Sequence, residues 1–212
     1  MARYVLRIWL DDRPGALGSV ASRIGSVKGD LVGIEILERG GGRVIDEIMV
    51  DLPNDELVDL MVREIQEVDG VDVENVSLES HPDRDFRLDP ILTAAAIMET
   101  GSRSEFFDEL LSRLSFDYTA LWVVAFDIEG NSVVAATGDS PNGRWVEAFL
   151  KGVMVEFVEG RNDPSDVALV VMRRSGVAVL LGRPERPFRD LERSQLEAIA
   201  RIGDVRLVSF PI

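Results

Sequence analysis

Apolar residues along the first eighty positions change period several times, and each change marks an element. Residues 4–10, with Val5, Leu6, Ile8 and Trp9, read as a strand. Pro14 can open a helix, because its missing N–H would have no intrahelical acceptor there. Leu17, Val20, Ile24 and Val27 follow at spacings of three and four, one stripe of an amphipathic helix that Gly29 and Asp30 end. Residues 32–38 and 43–51 read as a hairpin around Gly40-Gly41-Gly42. Asn54 can cap a second helix carrying Leu57, Met61, Ile65 and Val68 on one face; Gly70 stops it, and residues 71–78 form a fourth strand. The order β-α-β-β-α-β predicts a ferredoxin-like unit, two helices covering one face of a four-stranded antiparallel sheet.

The stretch 79–89, Glu-Ser-His-Pro-Asp-Arg-Asp-Phe-Arg-Leu-Asp, is polar and charged and contains a proline, which suits a linker. The expected organisation is therefore a first domain at 1–79, a linker at 80–89 and a second domain at 90–212. In the second, residues 90–98 look helical. Ser102 with Glu105 forms a capping-box signature ahead of a helix marked by Phe107, Leu110, Leu111 and Leu114. Strands are expected at 118–127 and 131–137, and a helix at 144–158 with Trp145, Phe149, Val153 and Phe157 spaced by fours. A hairpin at 167–173 and 177–182 turns on Ser175-Gly176, a helix spans 188–202, and residues 205–210 read as a last short strand. The fold class is α+β, with an antiparallel sheet in each half.

Composition narrows the chemistry. The 212 residues are 46% hydrophobic and 29% charged, an ordinary globular balance. With 23 basic and 38 acidic residues the formal charge is -15, and the longest basic run is the pair Arg173-Arg174. Such a chain repels phosphate, so neither nucleic acid nor an anionic membrane is expected as a partner. No cysteine is present, which excludes disulfides, thiolate catalysis and cysteine metal sites, and one histidine, His81, cannot build a multi-histidine centre. The N-terminus is broken by Arg7 and is not a signal peptide. The apolar runs are strand-sized, and a cytoplasmic location is expected.

Asp12-Arg13-Pro14-Gly15-Ala16-Leu17-Gly18 lies where the first strand turns into the first helix. A helix start exposes unpaired N–H groups and a partial positive charge, which favour a carboxylate. Gly15, without a Cβ, would let a ligand approach its backbone. This turn also occurs where a helix merely starts. Together with the element order, however, the turn resembles the ACT domain family, whose pattern is a strand, Asp/Asn-Arg-Pro-Gly-x-Leu, a helix, and a short Gly-containing lead into strand two. Lys28-Gly29-Asp30-Leu31-Val32-Gly33-Ile34 matches that lead.

The resemblance covers residues 3–79 and implies a regulatory module that binds an amino acid between paired copies. The carboxylate would meet the backbone of the turn around Arg13 to Gly18, and the ammonium would meet Asp30, beside Leu31 and Val32. Asp30 stands where the family often has Asn. A carboxylate there either strengthens the attraction by charge assistance or is a turn residue of a module without ligand.

The second half resembles a GAF-like or profilin-like domain more loosely. The residues are Val177-Ala178-Val179-Leu180-Leu181-Gly182-Arg183-Pro184 and Pro187-Phe188-Arg189-Asp190-Leu191-Glu192. Val133-Val134-Ala135-Ala136-Thr137-Gly138 would also suit a roadblock-type domain. The segment before the second hairpin is short for a GAF pocket. Asp83 and Asp85 are interleaved with arginines, as in a solvated linker, and the triglycine lacks a phosphate-loop lysine. Asp117, Asp127 and Glu129 show no catalytic spacing, so no enzyme activity, metal or cofactor is expected. The predicted protein is a homodimeric amino-acid sensor whose second half contacts an unidentified protein or is a second sensor. The alternative is a ligand-free homodimeric scaffold.

Overall fold

The structure, a computed structural model, describes residues 2–79, 88–159, 166–184 and 186–211, with side chains given throughout except at 153–159. Most of the expected linker, with His81, Asp83 and Asp85, lies outside the described residues, as do the side chains of Val153 and Phe157. The chain divides into two compact units, 1–84 and 85–212.

The first unit has the order β1 (Ala2–Asp11), α1 (Ala16–Ser26), β2 (Asp30–Gly40), β3 (Arg43–Leu52), α2 (Val58–Gln66) and β4 (Asp72–Leu78). Its antiparallel strands lie in the order β2-β3-β1-β4, so β2 and β4 are the edges. Period two in the strands and three-to-four in the helices meet in one core. Leu6, Ile8 and Leu10 of β1 and Val44, Ile48, Val50 and Leu52 of β3 face Val20, Ile24, Met61 and Ile65. The opposite face of the sheet is tied by cross-strand ion pairs, among them Arg3–Asp51 at 2.7 Å and Arg7–Glu47 at 2.9 Å. The β2–β3 hairpin closes in two residues, Gly41 at φ 60° and Gly42 at φ 79°, the left-handed pair such a loop demands.

Two local expectations change. Asn54 makes no side-chain cap; it precedes one 3₁₀ turn, Asp55–Leu57, from which α2 opens. Pro14 stands two residues ahead of α1, and Gly15 is the residue at its N-cap.

The second unit runs α3 (Asp89–Glu99), α4 (Arg103–Asp117), β5 (Trp122–Asp127), β6 (Ser132–Gly138), α5 (Gly143–Glu159), β7 (Val167–Met172), β8 (Val177–Gly182) and α6 (Asp190–Leu207). Its antiparallel sheet is ordered β6-β5-β8-β7, and every residue of the inner strand β8 is buried. Phe106, Leu110 and Leu114 of α4 and Leu196 and Ile199 of α6 pack on Val123, Val177, Val179 and Leu181. Val146 and Leu150 of α5 cover the other face, against Val124, Phe126, Ala178 and Leu180. Trp145 stays 41% exposed, stacked at 5.1 Å on Phe149.

The Ser102 hydroxyl accepts from the Glu105 N–H at 3.2 Å, while the Glu105 carboxylate reaches the Gly101 N–H at 2.7 Å, a box displaced by one residue. Residues 118–121 are not strand. Tyr118 ends α4, and Thr119 at φ 51° turns the chain.

The expected last strand at 205–210 is also wrong. Residues to Leu207 belong to α6, whose buried side continues through Ala200, Gly203, Asp204 and Leu207 at helical spacing. Asp204 explains this continuation. Its carboxylate accepts from the Arg174 N–H at 2.8 Å, the Ser175 N–H at 2.9 Å and the Ser175 hydroxyl at 2.8 Å, holding the β7–β8 turn.

At the other end of α6, buried Arg183 donates to Glu192 at 2.7 Å and to the carbonyls of Tyr118 at 2.7 Å and Pro187 at 3.1 Å. The guanidinium lies 4.0 Å over the Phe188 ring. The Gly-Arg-Pro and Pro-Phe segments therefore form a structural knot between β8 and α6. Replacing Asp204 by Ala should cost about 2–3 kcal/mol, because hydrogen bonds to a charged acceptor are lost and turn amides are left bare. Urea unfolding measures it, and a cost below experimental error would remove Asp204 from this role.

Candidate functional site

The β1–α1 turn has an open geometry. Gly15 lies at φ 89°, a left-handed conformation, and a Cβ placed there would meet nothing within 4 Å. Glycine is thus required by the backbone rather than by crowding, since a β-branched residue in this region is strained. The Asp12 N–H donates to Gly42 O at 2.9 Å, and Arg13 N–H to Asp11 O at 2.8 Å, fixing the turn to the sheet end. Arg13 leans its guanidinium towards Asp11, 3.6 Å away.

α1 then starts with no side-chain cap and no acidic residue in its first turn. Among the described residues, the N–H groups of Leu17 and Gly18 have no hydrogen-bond partner outside the helix. Ala16 is buried and Leu17 packs partly on the core, while Pro14, Gly15 and Gly18 are exposed. Unneutralised N–H groups at a helix start attract an anion.

Asp30 is elsewhere. It opens β2 and pairs in register with Asp51, while Asp12 and Gly42 lie at the opposite end of the sheet. Ten residues of strand separate the two ends, on the order of 30 Å. A single copy therefore does not bring the turn residues together with Asp30, Leu31 and Val32. Arg3 occupies Asp51 through two hydrogen bonds, 2.7 and 2.9 Å, and holds that carboxyl below its usual range. Asp30 remains exposed and forms no ion pair among the described residues. Leu31 packs partly on the core opposite Val50, and a register shift turns Val32 outward.

A two-fold arrangement would close that distance. β2 is an edge, and its Val32, Ile34 and Ile36 are 41, 37 and 41% exposed. Ile34 and Ile36 share the helix side of the sheet with their register partners Ile48 and Asp46. Antiparallel pairing of two β2 edges would set the Asp30 end of each beside the Gly40 end of the other, where the turn lies. Unpaired apolar edges favour such pairing.

Asp46 belongs to no motif in the sequence. It lies on the core face between Ile8 and Ile36, 3% exposed, with its Oδ1 buried and without a hydrogen-bond partner. Burial pushes its carboxyl above the usual range; Arg39 pulls it back, and Asp12 adds to the rise. The only sequence signal was a lone acid where strand alternation calls for an apolar residue.

Asp117 accepts from Thr93 at 2.5 Å, whereas Asp127 caps the β5–β6 turn through the Glu129 and Gly130 N–H groups at 3.0 and 2.9 Å. Strand β5 separates them, so these acids do not converge. Among the described residues there is no metal-binding group of His, Cys, Asp or Glu, and no helix long and apolar enough to cross a membrane.

No protein-family model matches the sequence, and no curated protein matches it. Solved structures similar to it include the ACT domain of the GTP pyrophosphokinase of Chlorobium tepidum, with 16% identity and a TM-score of 0.30, covering 37% of this chain and 100% of that one. An ACT domain protein from Streptococcus pneumoniae has 13% identity and a TM-score of 0.30, covering 47% of this chain and 97% of that one. An unknown protein from Galdieria sulphuraria, at 11% identity and a TM-score of 0.34, covers 96% of this chain and 92% of its own. The β-α-β-β-α-β order and the β2-β3-β1-β4 sheet define the first unit as ferredoxin-like in fold. At these scores the likenesses carry no functional argument.

The buried Asp46 gives a testable sign. Its raised folded-state pKa means the native state holds the proton more tightly than the unfolded chain. The resulting penalty is absent below the ordinary carboxyl range, grows as pH rises towards the folded value, and is full above it. Asp46→Asn should therefore stabilise the fold at neutral pH by about 1 kcal/mol, with the gain vanishing in acid. Urea titrations at both pH values check this; a neutral-pH loss would contradict it.

Proposed function

We propose that the protein is a non-catalytic regulatory sensor that binds a free amino acid between the first units of two copies. The carboxylate sits on the uncapped N–H groups at the head of α1, and the ammonium faces Asp30 of the second copy. The observation that carries this reading is the helix start itself. It has neither a cap nor an acid of its own, it is held by a left-handed Gly15, and it lies open to solvent. A zwitterion needs both a positive and a negative partner, and Asp30 is a free carboxylate that antiparallel β2 pairing would supply. The second unit then serves as the part that passes the bound state to other proteins.

Thermal shift against the twenty amino acids is the first test, since a ligand held only by the native state raises the melting temperature. One or a few amino acids should do so. In calorimetric titration Asp30→Ala should weaken binding about ten- to a hundredfold, the equivalent of roughly 1.5–3 kcal/mol, and Asp30→Asn less. Gly15→Val should abolish binding by forcing the turn out of its left-handed conformation. Gly15→Asn, which tolerates that region, should retain it. A dimer by light scattering that no amino acid stabilises would replace the sensor with the scaffold.

A further inference from the structure

Helix α3 turns an apolar stripe outward. Leu88, Ile91, Leu92 and Met98 are 48, 65, 51 and 45% exposed, and Ala95 is exposed with them. Positions 88, 91, 95 and 98 are spaced three, four and three, the seam of one helix packed along another. The buried side of α3 is the opposite one, Asp89, Thr93 and Ile97. The stripe is therefore surplus to the core of this unit.

α6 extends the same surface. Gly203 lies against Ile97, and the Arg206 side chain donates to the Thr100 carbonyl, so α3 runs along that flank of α6. Ile202 and Val205, 40 and 47% exposed, stand just outward of this contact on the helical wheel. The two helices run in the same direction. Ile97 meets Gly203 and, one turn further along both helices, Thr100 meets Arg206, so the two sets of residue numbers rise together. Two aligned stripes make one grooved face.

We infer that this α3–α6 face is a self-association surface, on which the same two helices of another copy pack antiparallel as a four-helix bundle. Three features select that occupant. First, the exposed aliphatic side chains offer on the order of 500 Å², more than half of one partner's share of a standard interface. Second, the stripe Leu88, Ile91, Leu92, Ala95, Met98, Ile202 and Val205 holds no ionised side chain in a chain of net charge -15, so two copies can meet there despite their overall repulsion. Third, an antiparallel two-fold opposes the macrodipoles of aligned helices.

The absence of cysteine allows a local test in the full chain. Ala95→Cys, in the middle of the stripe, places a sole thiol close to the two-fold axis. Under mild oxidation at micromolar concentration it should form a disulfide dimer about tenfold or more faster than Ser132→Cys on the exposed strand β6, because paired thiols meet at millimolar effective concentration. Adding Ile91→Glu should slow the capture about tenfold while leaving circular dichroism unchanged, since Ile91 is mostly exposed. Capture no faster than the β6 control, or capture indifferent to Ile91→Glu, would overturn the inference. So would a thiol shielded from maleimide yet never captured, which would seat another part of the chain, or another molecule, on the face.

Discussion

Strand β2 ends the first sheet, and along its outward side the backbone has no neighbouring strand within the described residues. An edge of this kind, eleven residues long and carrying Val32, Ile34 and Ile36 at the surface, is a template for another strand. Two register shifts against β3, at Leu31/Gly33 and Ile36/Glu38, interrupt its pairing, and neither lysine nor proline lies on it. Its antiparallel register with β3 fixes what a second copy would find at each end: a free Asp30 at one, and at the other the hairpin that anchors Asp12. The geometry of the candidate site follows from that register.

A ligand spanning two chains favours their association over separation by its differential affinity, and that is enough to couple binding to assembly. In the second unit Asp127 and Asp204 hold turns. If the edges of the first unit and the α3–α6 face both engage copies, their symmetry axes decide between a closed particle and an open chain of copies.

Much of the first unit was legible because Leu17, Val20 and Ile24, and Met61 and Ile65, declare period and burial together. What the sequence hid is spatial. Gly15 and Asp30 belong to one motif, yet helix α1 between them carries the chain from one end of the sheet to the other, and only the register reveals it. Asp46 hid inside a strand otherwise apolar on that face. In the second unit, Val205 to Phe210 alternates well enough to imitate a strand, and the deciding contact is Asp204 with a turn thirty residues away. For α3, periodicity announced a helix but not that Ile91 and Leu92 would face out while Thr93 faced in.

The central claim, that each ligand lies between a turn from one copy and Asp30 from another, is tested most directly by mixing two defective chains. Gly15→Val and Asp30→Ala homodimers should both be unable to bind tightly. In a mixed dimer one site collects both defects and the other collects neither. Equimolar mixing, with time for subunit exchange, should therefore restore about a quarter of the wild-type sites at wild-type affinity in a calorimetric titration. A mixture that binds no better than its separate components, although exchange is verified, would contradict a site shared between copies.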